Sequence, residues 1–252
     1  MDILRKLKTF RPNSSKGVKY VEITLDIAEK FPHLLKQLGD IYSDPLSIEN
    51  VDYFGPHNKE SDELANLFMQ YRSDKSFNGY HLYYARVLND LGRHNELNIL
   101  EIGIGTQNKN ISSHMGPHFK PGASLRAFRD YAYNSQIFGA DIDRDIMFSE
   151  DRIRTHYVDQ LNFDTYAKMN EAFGNPSYDL IIDDGLHAIT ANLNSILFGL
   201  EVIKVGGWIV IEDIIYHEVC WHTVNRLIPD DSYEKYFLKC PHCKVFLMKR
   251  IK

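Results

Sequence analysis

Two rhythms of apolar residues divide the chain. Up to about residue 92 the apolar positions recur at helical spacing. Ile23, Leu25, Ile27, Ala28, Phe31, Leu34, Leu35 and Leu38 predict a helix over 19–40, kinked or divided at Pro32. Pro45, Gly55 and Pro56 mark 41–60 as a connector. Leu64, Leu67, Phe68 and Tyr71 predict a short amphipathic helix over 60–71, and after a loop over 73–80 another runs through Tyr83, Tyr84, Val87 and Leu91. From residue 97 the rhythm changes to short apolar runs that end abruptly in polar groups. Strands are predicted at 97–102, 136–141, 155–159, 178–183 and 206–211, with helices at 124–133, 163–172 and 188–202 between them. Residues 236–248 read as two strands about a turn. This alternation predicts an α/β fold, a doubly wound and mainly parallel sheet closed by an antiparallel hairpin. The expected organisation is an N-terminal helical extension over 1–92 and an α/β domain over 93–252.

At 252 residues, 44% hydrophobic and 25% charged, the chain is ordinary globular material. A net charge of −5 and a pI near 6.1 give no electrostatic case for a nucleic-acid partner. The first twenty residues are basic, with Arg5, Lys6, Lys8, Arg11, Lys16 and Lys19 against Asp2, and read as a solvated or partner-binding arm. There is no run long enough to span a bilayer and no signal-peptide core, so a cytoplasmic protein is expected. Three cysteines argue against a disulfide framework. Cys240-Pro-His-Cys243, with Cys220 and His222 upstream, reads as a hairpin turn or, less simply, as zinc ligands.

The chemistry sits at the strand ends, where a parallel sheet binds its ligands. The first strand runs into Gly103-Ile104-Gly105, which fits either a tight turn or close approach of a ligand to the backbone. The third glycine of a dinucleotide fingerprint is missing, and Glu101 would repel a pyrophosphate. Asp141 ends the second strand, where a carboxylate accepts from ribose hydroxyls. A nucleoside carrying positive charge, such as S-adenosylmethionine, suits these groups. Two further strands end in Asp183-Asp184-Gly185-Leu186-His187 and Glu212-Asp213. The first of these could simply cap the following helix. Capping leaves His187 and the second acidic pair unexplained. Neighbouring strand residues face opposite ways, so Glu212 and Asp213 share a metal only where the strand has ended.

Taken together, Leu100-Glu101-Ile102-Gly103-Ile104-Gly105, Gly139-Ala140-Asp141, Asp159-Gln160, Asp183-Asp184-Gly185-Leu186-His187 and Glu212-Asp213 resemble the class I S-adenosylmethionine-dependent methyltransferases. Within them the sequence is most similar to the metal-dependent sugar O-methyltransferases of macrolide and surface-polysaccharide pathways. Ser73-Asp74-Lys75, Gly79-Tyr80 and Tyr84 resemble a motif that precedes the fold in that group. The resemblance covers roughly 67–215. Asn78 stands where the family commonly has His, and 107–123, with His114 and His118, is an insertion.

The resemblance implies a seven-stranded Rossmann-like sheet, with 1–92 as cofactor lid and oligomer contact. It places Lys75, Tyr80, Glu101, Gly103, Gly105, Ser124, Asp141, Asp159, Gln160 and Asp183 around S-adenosylmethionine. Asp184, Glu212 and Asp213 would gather Mg²⁺ or a similar divalent cation, and His187 would be the general base. Elementary chemistry agrees, since carboxylates suit Mg²⁺ and imidazole suits proton transfer near neutrality. The implied activity is methylation of a hydroxyl on a nucleotide-linked sugar or glycan or glycoside precursor, by a homo-oligomer. The alternatives are a catechol-like acceptor, a nicotinamide-dependent dehydrogenase, or a scaffold without activity.

Overall fold

The computed structural model describes residues 46–47, 57–116, 118–214 and 218–252. All belong to one compact unit that begins at Pro45. The basic arm, the helix expected over 19–40 and nearly all of the connector lie outside these residues.

In chain order the elements are β1 (Leu46–Ser47), α1 (Lys59–Tyr71), a 3₁₀ turn (Asp74–Ser76), α2 (Tyr80–Asp90), β2 (Asn98–Ile102), α3 (Ala123–Tyr131) and β3 (Gln136–Asp141). A second 3₁₀ turn (Arg144–Ile146), β4 (Ser149–Glu150), β5 (Ile153–Tyr157), α4 (Asp164–Ala172), β6 (Tyr178–Asp183) and α5 (Ile189–Val202) follow. The chain ends with β7 (Ile203–Ile214), α6 (Glu218–Leu227), β8 (Tyr233–Lys239) and β9 (Lys244–Arg250). The strands form one sheet in the order β1-β8-β9-β7-β6-β2-β3-β5-β4. Seven of them are five residues or longer, and the two-residue β1 and β4 extend the edges. The central pairs β2/β3, β2/β6, β3/β5 and β6/β7 are parallel, while β9 is antiparallel to both β7 and β8. This is the mixed, mainly parallel Rossmann-like sheet with an antiparallel C-terminal hairpin that the sequence predicts.

Strand order reverses between β2 and β6, because α3 carries the chain to one side of β2 and α4 brings it back to the other. The register levels the strand ends at that point. Ile102 lies opposite both Ala140 and Asp183, and Asp183 lies opposite Ile211. The carboxylates that close these strands therefore meet at one edge.

Period-two alternation then sorts them by face. Ile99, Ile182 and Val210 join Phe68, Tyr84 and Phe128 in one buried cluster, under α1, α2 and α3. Leu100, Ile181 and Ile211 join Tyr166, Phe198 and Trp221 in the other, under α4, α5 and α6. Glu101 and Glu212 share the parity of the first set, and Asp183 that of the second. Helix α1 starts at a reciprocal cap, in which Asn58 Oδ1 accepts from Ser61 N at 2.8 Å and Ser61 Oγ from Asn58 N at 2.9 Å.

Several boundaries differ from expectation. Helix α6 was not anticipated. β5 ends at Tyr157, with Val158 N donating the last ladder bond to Asp141 O at 2.9 Å. β7 starts directly at the end of α5 and runs through Asp213, with register breaks against both neighbours. The capping reading of Asp183-Asp184 does not hold, since the N-cap of α5 is Ala188 and no side chain bonds there. Among the described residues, no helix is long and apolar enough to cross a membrane.

Candidate active site

At the level edge, Gly103 and Asp184 approach so closely that a Cβ on residue 103 would lie 2.1 Å from the Asp184 carbonyl oxygen. The backbone of residue 103 is left-handed, with φ of 89°. Gly103 is thus required by the fold itself, whatever it offers a ligand. Asp184 N donates to Ile102 O at 2.8 Å, locking the two turns together.

Three acidic side chains and one base meet on the α2 side. Lys75, in the first 3₁₀ turn, is 1% exposed. Its ammonium lies 2.5 Å from Glu212 Oε2, 2.8 Å from Asp184 Oδ2 and 3.1 Å from Glu101 Oε1. Desolvation alone would lower the pKa of this lysine, but the carboxylates of Asp184, Glu212 and Glu101 hold it well above the usual range. The second oxygen of Glu101 accepts from Ser124 Oγ at 2.6 Å. Tyr84 and, at 3.3 Å, Tyr83 donate to Glu212 Oε1. Tyr80 donates to Asp213 Oδ1. The phenols of residues 80, 83 and 84 stand at helical neighbour spacings on α2. Burial, followed by the charge of Glu212, raises the pKa of all three, so they remain donors.

Asp184, His187 and Asp213 come together where the cleft opens, each offering a ligand atom within 4.8 Å of the others. His187 Nε2 is 3.9 Å from Asp213 Oδ2. His187 Nδ1 is buried and makes no hydrogen bond among the described residues. Both His187 and Asp213 have left-handed backbones, with φ of 55° and 52°. Such backbone strain gathers at functional sites. For Asp213 it coincides with the register break between Ile211 and Ile214, which lets it diverge from Glu212 into the cleft. Glu212 keeps the strand parity and shares the Lys75 ammonium with Asp184; desolvation, followed by the charge of Asp184, raises its pKa well above the usual carboxylate range. Desolvation, reinforced by Asp213 and opposed by Lys75, raises the Asp184 carboxyl to about 7.

Two adjoining clefts share Gly103, Gly105, Ser113 and Asp184. One holds Lys75, Ser124, His187 and Asp213 in its wall; the other is lined by Asp141, Ile142, Asp159, Gln160 and Leu161. In the second cleft, Asp141 accepts from Ile104 N at 2.9 Å and Asp143 N at 3.0 Å, and burial raises its pKa against those bonds. Asp159 Oδ1 accepts from Leu161 N at 3.0 Å. Gln160 uses its amide internally. Its Nε2 donates to Asp183 Oδ1 at 2.7 Å and its Oε1 accepts from Leu186 N at 2.7 Å. Asp183 is wholly buried on the opposite face from Lys75, where Asn192 Nδ2 also donates to it at 3.0 Å.

The inserted loop supplies walls that the sequence reading did not assign. Ser113, His114, Met115 and Lys120 line the first cleft, and Asn110 to Ser113 the second. Met115 Cε sits where a Cβ of residue 105 would be, at 1.7 Å. Cys240 and Cys243 form the hairpin turn, with Cys240 N donating to Cys243 O at 2.9 Å. No three-ligand group surrounds them among the described residues.

No family model matches the chain. It is 31% identical over 156 residues to mycinamicin VI 2''-O-methyltransferase of Micromonospora griseorubida, covering 60% of this chain and 36% of that protein. It is 30% identical over 135 residues to a tetracenomycin-C rhamnosyl 3'-O-methyltransferase of Streptomyces olivaceus, covering 54% and 31%. The chain spans only about a third of the length of these curated relatives. The solved MycE methyltransferase from the mycinamycin biosynthetic pathway, in complex with Mg and SAH, superposes with a TM-score of 0.58 at 24% identity, over 78% of this chain and 56% of that one. The chain therefore has the class I S-adenosylmethionine-dependent methyltransferase fold. In sequence it is a relative of the macrolide sugar O-methyltransferases.

Proposed function

We propose that the protein transfers a methyl group from S-adenosylmethionine to a sugar hydroxyl of a nucleotide-linked sugar or a glycan or glycoside precursor. The observation that carries this reading is the meeting of Asp184, His187 and Asp213 beside the Gly103–Gly105 turn. The cleft with Asp141, Asp159 and Leu161 takes the adenosine, and the adjoining one takes the methionine end and the acceptor. Ser124 acts there through Glu101, which it holds by its hydroxyl.

The donor set fits a hard divalent cation such as Mg²⁺. Asp184 and Asp213 present carboxylate oxygens to the cleft, and His187 Nδ1 is buried without a partner among the described residues. Asp184 and Asp213 would hold the ion, which when bound would orient the acceptor hydroxyl and make it more acidic. His187 removes the hydroxyl proton. Bound in the adjoining cleft, S-adenosylmethionine would supply the methyl group to the deprotonated oxygen, its carbon–sulfur bond breaking to give S-adenosylhomocysteine. Asp213 Oδ2 lies 3.9 Å from His187 Nε2, which keeps the imidazole beside the acceptor site. A homo-oligomeric assembly, with 1–92 as lid and contact, belongs to the same proposal, and light scattering tests it.

The deciding experiment offers nucleotide sugars, glycosides and catechols with S-adenosylmethionine and follows product mass. A sugar product gaining one methyl group is expected. His187→Ala should lower kcat about a hundredfold or more with S-adenosylhomocysteine affinity little changed. Methylation of catechols alone, or undiminished turnover by the variant, overturns the reading.

A further inference from the structure

The two clefts meet over Gly103 and Gly105, and one side chain of the inserted loop lies across that junction. Gly103, Gly105, Ser113 and Asp184 border both clefts, while Met115 borders only the first. A Cβ on residue 105 would lie 1.7 Å from Met115 Cε and 3.2 Å from its Sδ, so the thioether takes up the space that the missing side chain leaves. Gly105 also has a φ of 83°, in the left-handed region that favours glycine. The backbone of the loop holds Met115 in this place. Met115 N donates to Thr106 O at 2.7 Å, and the two ends of the loop are joined where Gly122 N donates to Ile104 O at 2.8 Å. Gln107 Nε2 adds a bond to Phe119 O at 2.7 Å. Met115 is half-buried, so part of its side chain faces the cleft.

We propose that Met115 is a cofactor-contacting residue, its thioether roofing the sulfur end of S-adenosylmethionine. The inference rests on the cofactor part of the reading above, with adenosine in one cleft and the methionine end in the other. Sulfur is the atom that joins those two parts, since it carries both the terminal ribose carbon and the methionine chain. A cofactor spanning the clefts therefore brings its sulfur to their junction, and Met115 sits on the first-cleft side of it. The chemistry of the side chain matches. A thioether is apolar yet polarisable and has no proton to donate, so it lies against a cationic sulfur without repelling it. Gly105 then serves the cofactor in part through Met115, by leaving room for this side chain.

The test is nuclear magnetic resonance of the intact chain with isotope-labelled methionine methyl groups, titrated with S-adenosylhomocysteine. The Met115 signal is identified by its absence from Met115→Leu. It should shift on binding and show nuclear Overhauser contacts to the protons beside the ligand's sulfur. In calorimetry, Met115→Ala should bind S-adenosylhomocysteine about tenfold more weakly through the lost apolar contact, and Met115→Leu, which conserves volume, should stay near the parent. A Met115 signal unmoved by saturating ligand, or parent affinity in Met115→Ala, overturns the contact while leaving the cofactor site standing. Failure of the intact chain to bind S-adenosylhomocysteine overturns both.

Discussion

Tyr80 joins the C-terminal hairpin to the mouth of the cleft. Its hydroxyl donates to Asp213 Oδ1, and its oxygen accepts from the Cys243 thiol at 2.6 Å. Asp213 has a left-handed backbone at a register break, so the phenol is what fixes a carboxylate that the strand alone would not. Tyr80→Phe should weaken Mn²⁺ binding about tenfold, in the range found when partners of metal-binding carboxylates are lost. It should also destabilise the fold by about 1–3 kcal/mol through the unpaired buried groups. Calorimetry and thermal unfolding check the two effects separately, and an unchanged Mn²⁺ affinity would count against Asp213 as a ligand.

Metal binding should depend on pH through Asp184. Desolvation, with Asp213 adding to it, raises this carboxyl from 3.8 to about 7, and Lys75 and His187 resist the rise. A carboxyl raised on folding favours the protonated native state. In cation-free protein its contribution to stability therefore falls as pH climbs from about 4 to about 7. A divalent ion must displace that proton, so its affinity grows as pH rises through the same window and levels off above it. The rise in Tm caused by Mg²⁺ should be small at pH 5.5 and full at pH 8. An equal rise at both values excludes Asp184 as the titrating ligand.

Gly103→Ala tests the close approach of the two turns. The new Cβ would meet backbone, the Asp184 carbonyl at 2.1 Å and Gly185 Cα at 2.5 Å, at a φ of 89°. Neither obstacle is the movable end of a side chain. A loss of about 2–4 kcal/mol in urea unfolding is expected, together with weaker S-adenosylhomocysteine binding, since Gly103 borders both clefts. Wild-type stability in this variant would show that the turns separate freely.

Much of this was legible in the chain. The apolar runs gave β2, β3, β6 and the helices between them almost to the residue, because each buried strand is short and uninterrupted. That Asp183-Asp184-Gly185-Leu186-His187 ends a strand at an exposed edge followed from its abrupt polarity. What was not legible depends on contacts between distant elements. Lys75 reads, by resemblance, as a residue beside S-adenosylmethionine, and only the fold shows its ammonium buried among Glu101, Asp184 and Glu212. Gln160 reads as a residue near adenine, yet its amide is taken up by Asp183 and Leu186. Alternation warned that Glu212 and Asp213 diverge, but only the register break shows which of them reaches the cleft. Helix α6 was missed because its buried apolar residues, Trp221 and Val224, are sparse and set among polar ones.

The two adjacent aspartates at the end of β6 should separate stability from metal binding. Asp183 is wholly buried among donors, with Gln160 Nε2 at 2.7 Å, Asn192 Nδ2 at 3.0 Å and Gly185 N at 3.2 Å all pointing at its carboxylate. An amide in its place has one oxygen to serve them and turns its own NH₂ toward a donor. Asp183→Asn should therefore cost about 1–3 kcal/mol, the range for a buried hydrogen-bonding group left unpaired. It should leave Mn²⁺ affinity nearly unchanged, because its side chain lies on the α5 face and Asp184 turns to the other. Asp184→Asn removes a desolvated charge and should be neutral or stabilising in cation-free protein. It should abolish measurable Mn²⁺ binding. If both substitutions lower Mn²⁺ affinity equally, the pleat does not divide the two residues as described, and Asp183 belongs to the metal site after all.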